Sequence, residues 1–145
     1  MTDTGAQTTT VLHASCVDWA GRGLLILGAA GVGKSALALE LLAFGCELVA
    51  DDRTVIARRS GGLVASAPPA IAGRIEARFI GILEAQTTAE TDLVLAVDLD
   101  HIEVSRLPLQ LSVTYLDVAL PLILRPQGGH LAAAVLQYLK AGRSA

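Results

Sequence analysis

The 145-residue sequence is poor in aromatic residues and has no excess of positive charge, and both shortages exclude classes of function. Only 3% of the residues are aromatic, which argues against a surface that binds nucleic acid by stacking on its bases. The net charge of −3 gives no basic footprint for a nucleic-acid backbone. No run of about eighteen consecutive apolar residues occurs, so the sequence predicts no membrane-spanning helix.

Cysteine is also scarce. Cys16 and Cys46 stand alone in apolar surroundings without the paired spacing of a zinc site, and we expect small core residues, not disulfide partners.

The first residues lack a basic region followed by an apolar core, which predicts a cytoplasmic location and no secretion. Residues 1–10 are small and polar, and we predict a disordered tail before a single catalytic domain at residues 11–145.

Apolar residues, in contrast, are abundant and make up 52% of the chain. A chain of about 150 residues can bury roughly 68–70% of its unfolded surface, so one independent core is expected. The apolar excess also suggests an interface between copies of the chain.

The most informative segment, residues 24–44, reads as an apolar strand, a glycine-rich turn and a helix. The turn fits the P-loop pattern G-x-x-x-x-G-K-[ST], and its members are Gly28, Ala29, Ala30, Gly31, Val32, Gly33, Lys34 and Ser35. The glycines let backbone N–H groups approach a phosphate, Lys34 brings charge to the terminal phosphates, and the Ser35 hydroxyl is suited to ligate Mg²⁺. Gly45 predicts the end of the helix. A turn without a ligand is the weaker alternative.

Two strand-end acids compete for the carboxylate that a P-loop enzyme needs. One candidate is the pair Asp51-Asp52, which follows the apolar residues 48–50. Neighbours on an extended chain point to opposite sides, so one of these two acids is expected to face the site. The other candidate is Asp98, which follows residues 93–97 and is the better Walker B match by pattern alone. The residues themselves leave this choice open.

Three further side chains are candidates by position. The loosely alternating residues 11–17 and the turn at 18–23 predict a hairpin that places His13 beside the P-loop strand, with a half-buried strand histidine as the alternative. Glu76 and Arg78 stand two residues apart in the apolar segment 75–83, which places them on one face of a strand or in a loop aimed at a common ligand, with a surface ion pair as the alternative.

The rest of the chain predicts further strands and one more helix. A second hairpin is expected over residues 54–67, a polar loop over 84–92, strands at 109–116 and 119–124, and a final helix at 131–139. The fold class is therefore α/β, a single P-loop domain with a mixed central sheet and hairpin additions.

Taken in order, these motifs resemble the C-terminal catalytic domain of the HPr kinase/phosphorylase family, in the short form without its N-terminal domain. The matching segments are Val11-Leu12-His13, the P-loop, Leu48–Asp52, Glu76–Ile82, Arg106-Leu107 and the Arg125-Pro126 turn. The resemblance implies an HPr kinase and phosphoenolpyruvate carboxykinase-like architecture. It further implies ATP and Mg²⁺ as cofactors, the phosphocarrier protein HPr as substrate, and a homo-oligomer, in this family a hexamer.

The resemblance also implies roles for the residues that transfer the proton. His13 would lie in the active site, and Asp52 would accept the proton of the target serine. In the reverse reaction, phosphorolysis of the phosphoserine to pyrophosphate, Asp52 would donate that proton. Under this reading Asp98 becomes a structural acid.

A second set of implied roles concerns phosphate and metal. Lys34 and Ser35 would hold phosphate and Mg²⁺, Glu76 would complete the metal site, and Arg106 would be a catalytic cation near the transferred group. Further candidates without an assigned role are Asp51, Arg78 and Arg125.

The sequence departs from the family pattern at several positions. Phe79 and Pro108 stand where glycines are usual, and Gln127-Gly128 replaces a glycine and an arginine associated with dephosphorylation. Kinase activity is thus the direct implication, and retention of the phosphorylase is left open. Two alternatives remain: a nucleotide-sensing P-loop module without transfer activity, and a generic small P-loop kinase or NTPase that uses Asp98.

Overall fold

The computed structural model describes residues 8–145, which form a mixed α/β fold with a curled central sheet. The strands are β1 (Thr9–Leu12), β2 (Ala14–Trp19), β3 (Arg22–Leu27), β4 (Glu47–Ala50), β5 (Thr54–Arg59), β6 (Gly62–Ser66), β7 (Arg74–Ala77), β8 (Gly81–Glu84), β9 (Glu90–Glu103), β10 (Leu111–Tyr115) and β11 (Val118–Pro126). The helices are α1 (Lys34–Ala43) and α2 (Leu131–Ala141), with a short 3₁₀ helix at Pro69–Ile71.

Strand β9 organises the main sheet. The strands follow the order β1-β5-β6-β9-β3-β2-β4, and β11, with β10 on its far side, also pairs with β9. Strand β9 runs parallel to β3 and β11 and antiparallel to β6, while β2 is antiparallel to both of its neighbours. The carboxyl ends of β3, β4, β9 and β11 therefore meet the amino end of β2 at one edge of the sheet. The predicted mixed α/β fold is confirmed at this level.

Apolar side chains alternate between the two faces of the strands and form two hydrophobic cores, one on each face of the sheet. On β3, Leu24 and Ile26 face the layer that contains Leu41 of α1 and Leu139 of α2, whereas Leu25 faces the opposite, curled side of the sheet. All five side chains are fully buried. Since burial of one such side chain stabilises the fold by about 1.5–3 kcal/mol, these two layers anchor the glycine-rich loop that leaves β3.

Helix α1 begins and ends where the sequence predicts. It starts at Lys34, directly after Gly33, whose φ of 114° needs a residue without a Cβ. At its end, Gly45 N–H donates to Leu42 O and Cys46 N–H donates to Leu41 O, which is a Schellman motif with glycine at φ 108°.

Other elements differ from the predicted ones. Residues 11–17 do not form one strand, because a bend at His13 separates β1 from β2. The apolar segment 75–83 is a hairpin, β7–β8, and β9 continues to Glu103, well past Asp98. The predicted polar loop at 84–92 is shorter, since Glu84 ends β8 and β9 begins at Glu90.

The predicted tail, residues 1–10, lies mostly outside the described residues. Its last two residues, Thr9 and Thr10, are not disordered, because they belong to β1 and pair with β5. Helices of residues 8–145 are all too short or too polar to cross a bilayer.

The cysteine prediction is confirmed. Cys16 and Cys46 are both free and buried, one in each core. Burial, with the nearby Asp18 charge as a smaller cause, raises the pKa of Cys46 to about 11 and raises the pKa of Cys16 further. A thiol held in its protonated form is a packing residue rather than a nucleophile or metal ligand.

Candidate active site

The loop between β3 and α1 has the backbone shape of an anion nest. Gly28, Gly31 and Gly33 have φ values of 149°, 81° and 114°, in the region that disfavours any residue with a Cβ. A Cβ on Gly28 would also lie 2.5 Å from Val32 Cγ1. No side chain caps the start of α1. The first N–H groups of the helix are therefore available to an anion, and the helix dipole favours negative charge there.

Lys34 is folded onto this loop. Its side chain is buried, and Nζ donates to Gly28 O at 2.7 Å and to Ala29 O at 3.0 Å. Two carbonyl groups thus solvate the ammonium where it would otherwise lack water. The lysine holds the positive charge next to the turn that the glycines form.

Asp51, at the carboxyl end of β4, is the hub of the site. Its Oδ1 accepts hydrogen bonds from Ser35 Oγ at 2.7 Å and Ser15 Oγ at 2.9 Å, and its Oδ2 accepts from Glu76 N–H at 3.0 Å. The carboxylate is buried, and these donors come from α1, β2 and β7. Such charge-assisted bonds fix the acid beside the serine of the loop.

Asp52 bonds to different groups from Asp51 and pairs with His13, but the two acids do not follow one another on an extended strand. The distance from His13 Nε2 to Asp52 Oδ1 is 2.8 Å, and both side chains are about half exposed. Asp52 has a φ of 67°, a left-handed conformation that turns the chain sharply after β4. The accessible carboxylate is thus the one held by a histidine, next to the buried one.

Ser15 is a site residue that the sequence reasoning missed. Its hydroxyl donates to Asp51 and accepts a hydrogen bond from Asp52 N–H at 3.0 Å, so one buried serine fixes both acids. The two-residue spacing from His13 is a weak signal, because the sequence does not show that this strand lies beside β4.

Glu76 reaches the site through its backbone. Its N–H binds Asp51, while its own side chain is exposed at the base of the β7–β8 hairpin. Arg78 does not pair with Glu76, since its guanidinium lies over the Phe79 ring at 5.9 Å from the centroid. Phe79 is 99% exposed and has a φ of 69°, a conformation that glycine adopts without strain. Within residues 8–145, no group of three or more His, Cys, Asp or Glu side chains could hold a metal ion unaided.

Arg125 reaches the glycine-rich loop, whereas Arg106 does not join the group around Asp51. Arg125 Nη2 donates to Val32 O at 2.8 Å, which ties the end of β11 to the loop. Arg106 lies on the β9–β10 connection in a cleft of about 780 Å³, together with Pro126 and His130. Within the described part of the chain, Arg106 makes no side-chain hydrogen bond or ion pair.

Asp98 is at the correct edge of the sheet but is engaged elsewhere. Its two carboxylate oxygens bind Asp100 N–H at 2.8 Å and His101 Nδ1 at 2.7 Å, both on its own strand. Ser35 is bonded to Asp51 instead. Of the two strand ends that competed by pattern, the end of β4 supplies the acid that is bonded to Ser35.

Comparison with known proteins gives the family. The family model described as "HPr Serine kinase C-terminal domain" matches residues 5–114. The fold and the site define a mixed α/β domain in which a glycine-rich loop lies beside a buried acid. The chain belongs to the HPr serine kinase C-terminal domain family.

Several curated relatives carry the name HPr kinase/phosphorylase. The chain is 44% identical over 88 residues to that of Limosilactobacillus reuteri, covering 60% of this chain and 28% of the relative. It is 48% identical over 80 residues to that of Exiguobacterium sibiricum, covering 54% and 26%. The chain therefore spans little more than a quarter of the length of these relatives.

A solved structure shows the same fold. The HPr(Ser) kinase/phosphatase from Coxiella burnetii superposes with a TM-score of 0.76 at 24% sequence identity, covering 90% of this chain and 88% of that one.

Proposed function

We propose that this chain is an ATP- and Mg²⁺-dependent serine kinase that phosphorylates the phosphocarrier protein HPr. The observation that carries the proposal is the 2.7 Å hydrogen bond between Ser35 of the glycine-rich loop and the buried Asp51, with the Asp52–His13 pair beside it. A P-loop, a metal-binding acid and an accessible base in contact are the parts that phosphoryl transfer requires. The family match and the names of the relatives supply the substrate.

The residues present fit a magnesium ion. Ser35 Oγ and Asp51 form a short serine–acid pair at the mouth of the loop. Glu76, the metal ligand that the family resemblance implies, contacts Asp51 through its backbone N–H and has an exposed side chain that would have to turn toward this pair. Mg²⁺ commonly takes one or two protein carboxylates and completes its shell with water and phosphate oxygens. These three residues would hold the ion, which when bound neutralises phosphate charge. We include in the proposal the architecture that the family resemblance implies, a P-loop kinase of the phosphoenolpyruvate carboxykinase-like type.

The chain's own groups then carry the proton and the charge. The serine hydroxyl oxygen attacks the terminal phosphorus, the bond from that phosphorus to the bridging oxygen breaks, and ADP leaves. Asp52 accepts the hydroxyl proton, and His13 orients the Asp52 carboxylate through the 2.8 Å contact. Lys34 exchanges its loop carbonyls for phosphate oxygens.

The same carboxylate can serve the reverse direction. In phosphorolysis an oxygen of inorganic phosphate attacks the phosphoserine phosphorus, the serine C–O–P link breaks at phosphorus, and pyrophosphate forms. Protonated Asp52 then gives its proton to the serine oxygen. We include this phosphorylase activity in the proposal, as well as a cytoplasmic homo-oligomer, which in this family is a hexamer.

One observation favours a second candidate, a nucleotide-sensing module without transfer. Arg106, the expected catalytic cation, makes no side-chain hydrogen bond or ion pair within residues 8–145 and lies in a cleft that neither Lys34 nor Asp51 lines. Arg125, not Arg106, is the arginine that touches the loop, at Val32 O.

The test is incubation of purified chain with HPr, ATP and Mg²⁺, followed by the intact mass of HPr. We expect addition of one phosphoryl group, and its removal when inorganic phosphate replaces ATP. Loss of transfer in Asp52→Ala with ATP binding retained supports the kinase. Binding of ATP without transfer by the wild-type chain supports the sensing module instead.

A further inference from the structure

The first peptide unit of the glycine-rich loop is held on both sides by charged side chains. Ala29 N–H lies 3.0 Å from both carboxylate oxygens of Asp100, while Lys34 Nζ binds the carbonyl oxygens of Gly28 and Ala29. The lysine has a role in the proposed chemistry, but Asp100 has none. Its carboxylate is nevertheless the acceptor for a backbone N–H of the loop.

An irregularity in β9 aims Asp100 at the loop. In the ladder between β9 and β11, Asp98 pairs with Leu124, but the next pair is Ile102 with Arg125. Residues 99–101 therefore have no partner on β11, and such irregularities turn side chains out of the regular alternation. The bond from Asp100 N–H to Asp98 Oδ1 at 2.8 Å stabilises this bend.

The carboxylate fits closely against the loop. A Cβ built on Gly28 would lie 3.4 Å from Asp100 Oδ1, which is an ordinary van der Waals contact, so the acid lies directly against the loop without itself requiring the glycine. An anion at this place repels a phosphate, since like charges disfavour one another. Any benefit to binding must therefore come from geometry rather than from charge.

We infer that Asp100 is a positioning residue that holds the first turn of the glycine-rich loop in its phosphate-binding shape before the nucleotide arrives. Pre-ordering a loop lowers the cost of binding, because less conformational freedom is lost with the ligand. The inference deepens the proposed function, on which it rests for the identity of the ligand.

Two variants separate geometry from charge. In Asp100→Asn the side-chain oxygen can still accept from Ala29 N–H, whereas Asp100→Ala removes the acceptor. Asp92→Ala is the matched control, since Asp92 is an exposed acid at the opposite end of the same strand. Each variant is compared with wild type by amide hydrogen exchange of the loop without nucleotide, and by calorimetric titration with ATP and Mg²⁺.

We expect Asp100→Ala to accelerate exchange at Ala29 and to raise the dissociation constant for ATP about tenfold, the effect of losing one charge-assisted hydrogen bond. Asp100→Asn should stay within about twofold in both measurements, and Asp92→Ala should match wild type. If Asp100→Ala does not fold, the prediction for Asp100→Asn still applies.

Unchanged exchange at Ala29 in Asp100→Ala overturns the inference. So does tighter ATP binding by either Asp100 variant, because the carboxylate would then be a competitor for the phosphate site. If the wild-type chain binds no ATP while Asp100→Ala still accelerates exchange at Ala29, the proposed function fails and the loop-holding role stands.

Discussion

Strands β4 and β9 both carry apolar residues that lead to an acid at the same edge of the sheet, yet the two acids have different surroundings. Asp51 of β4 accepts hydrogen bonds from groups on three other elements and is buried. Asp98 of β9 is bound by Asp100 and His101, its neighbours along the chain. A hydrophobic strand with a terminal acid thus predicts a position at the edge, but the contacts made across the fold decide what the acid can do.

The largest difference between the two strand ends should appear in catalysis. Asp52→Asn removes the proposed proton acceptor, and we expect a fall in kcat of about 10³-fold, within the range of general base catalysis. Asp98→Asn keeps an oxygen for Asp100 N–H and should change kcat by less than about threefold. Transfer of phosphate to HPr, with ATP affinity measured separately, tests both. Equal losses in the two variants would contradict the assignment to β4.

The next effect concerns stability. Asp51→Ala leaves Ser15, Ser35 and the Glu76 N–H without their acceptor, and we expect the free energy of unfolding to fall by about 2–3 kcal/mol. Asp98→Ala removes acceptors from more exposed groups and should cost about 1 kcal/mol or less. Urea denaturation measures both values. If Asp98→Ala is the more damaging change, the contrast in burial does not explain the two acids.

Ser15→Ala tests whether the β4 acids act as one unit. The change removes a donor to Asp51 and the acceptor of Asp52 N–H, so we expect a loss of about 1–2 kcal/mol in stability. We also expect a fall of about tenfold in kcat, because Asp52, the proposed acceptor of the serine proton, is then less well positioned. The control is Ser112→Ala on β10, an exposed serine that should change neither quantity. A fall in stability with unchanged kcat would limit Ser15 to a structural role.

The smallest effect is a pH dependence at the amino end of β4. Burial raises the pKa of Cys46 from 9.0 to about 11, so the folded chain keeps a proton that the unfolded chain loses above pH 9. The resulting stability is complete below pH 9 and is lost as the pH rises to about 11, by about 1 kcal/mol at pH 10. Urea denaturation of wild type and Cys46→Ala at pH 7 and pH 10 should show the steeper loss in wild type. Parallel losses would assign the effect to other groups.

Local patterns predicted much of the fold. The glycines of the loop, the start of α1 at Lys34 and its end at Gly45 follow from backbone sterics, which neighbouring residues determine. These features require no knowledge of which strands become neighbours.

The choice between β4 and β9 could not be made from the sequence pattern. It depends on sheet order, in which β2 lies between β3 and β4 and brings Ser15 to both acids. The direction of the Asp100 side chain depends on a register shift against β11, a strand that follows some twenty residues later. Phe79 at φ 69° shows the reverse case, since a bulky residue occupies a conformation that would have predicted glycine. Pairing across the chain decides the first two cases, whereas Phe79 lies in the local turn between β7 and β8.

The central place of β9 has a consequence for how the chain acquires its structure during synthesis. Strand β3 pairs in parallel with β9, so the pairing of Leu24 with Leu95 can form only after β9 has been synthesised. Strand β11 then pairs with the second half of β9. Closure of such distant contacts is slow and leaves apolar strand edges exposed in the meantime. During synthesis β3 therefore stays without its β9 partner, and the glycine-rich loop that leaves β3 lacks this support, until residues 90–103 have been made.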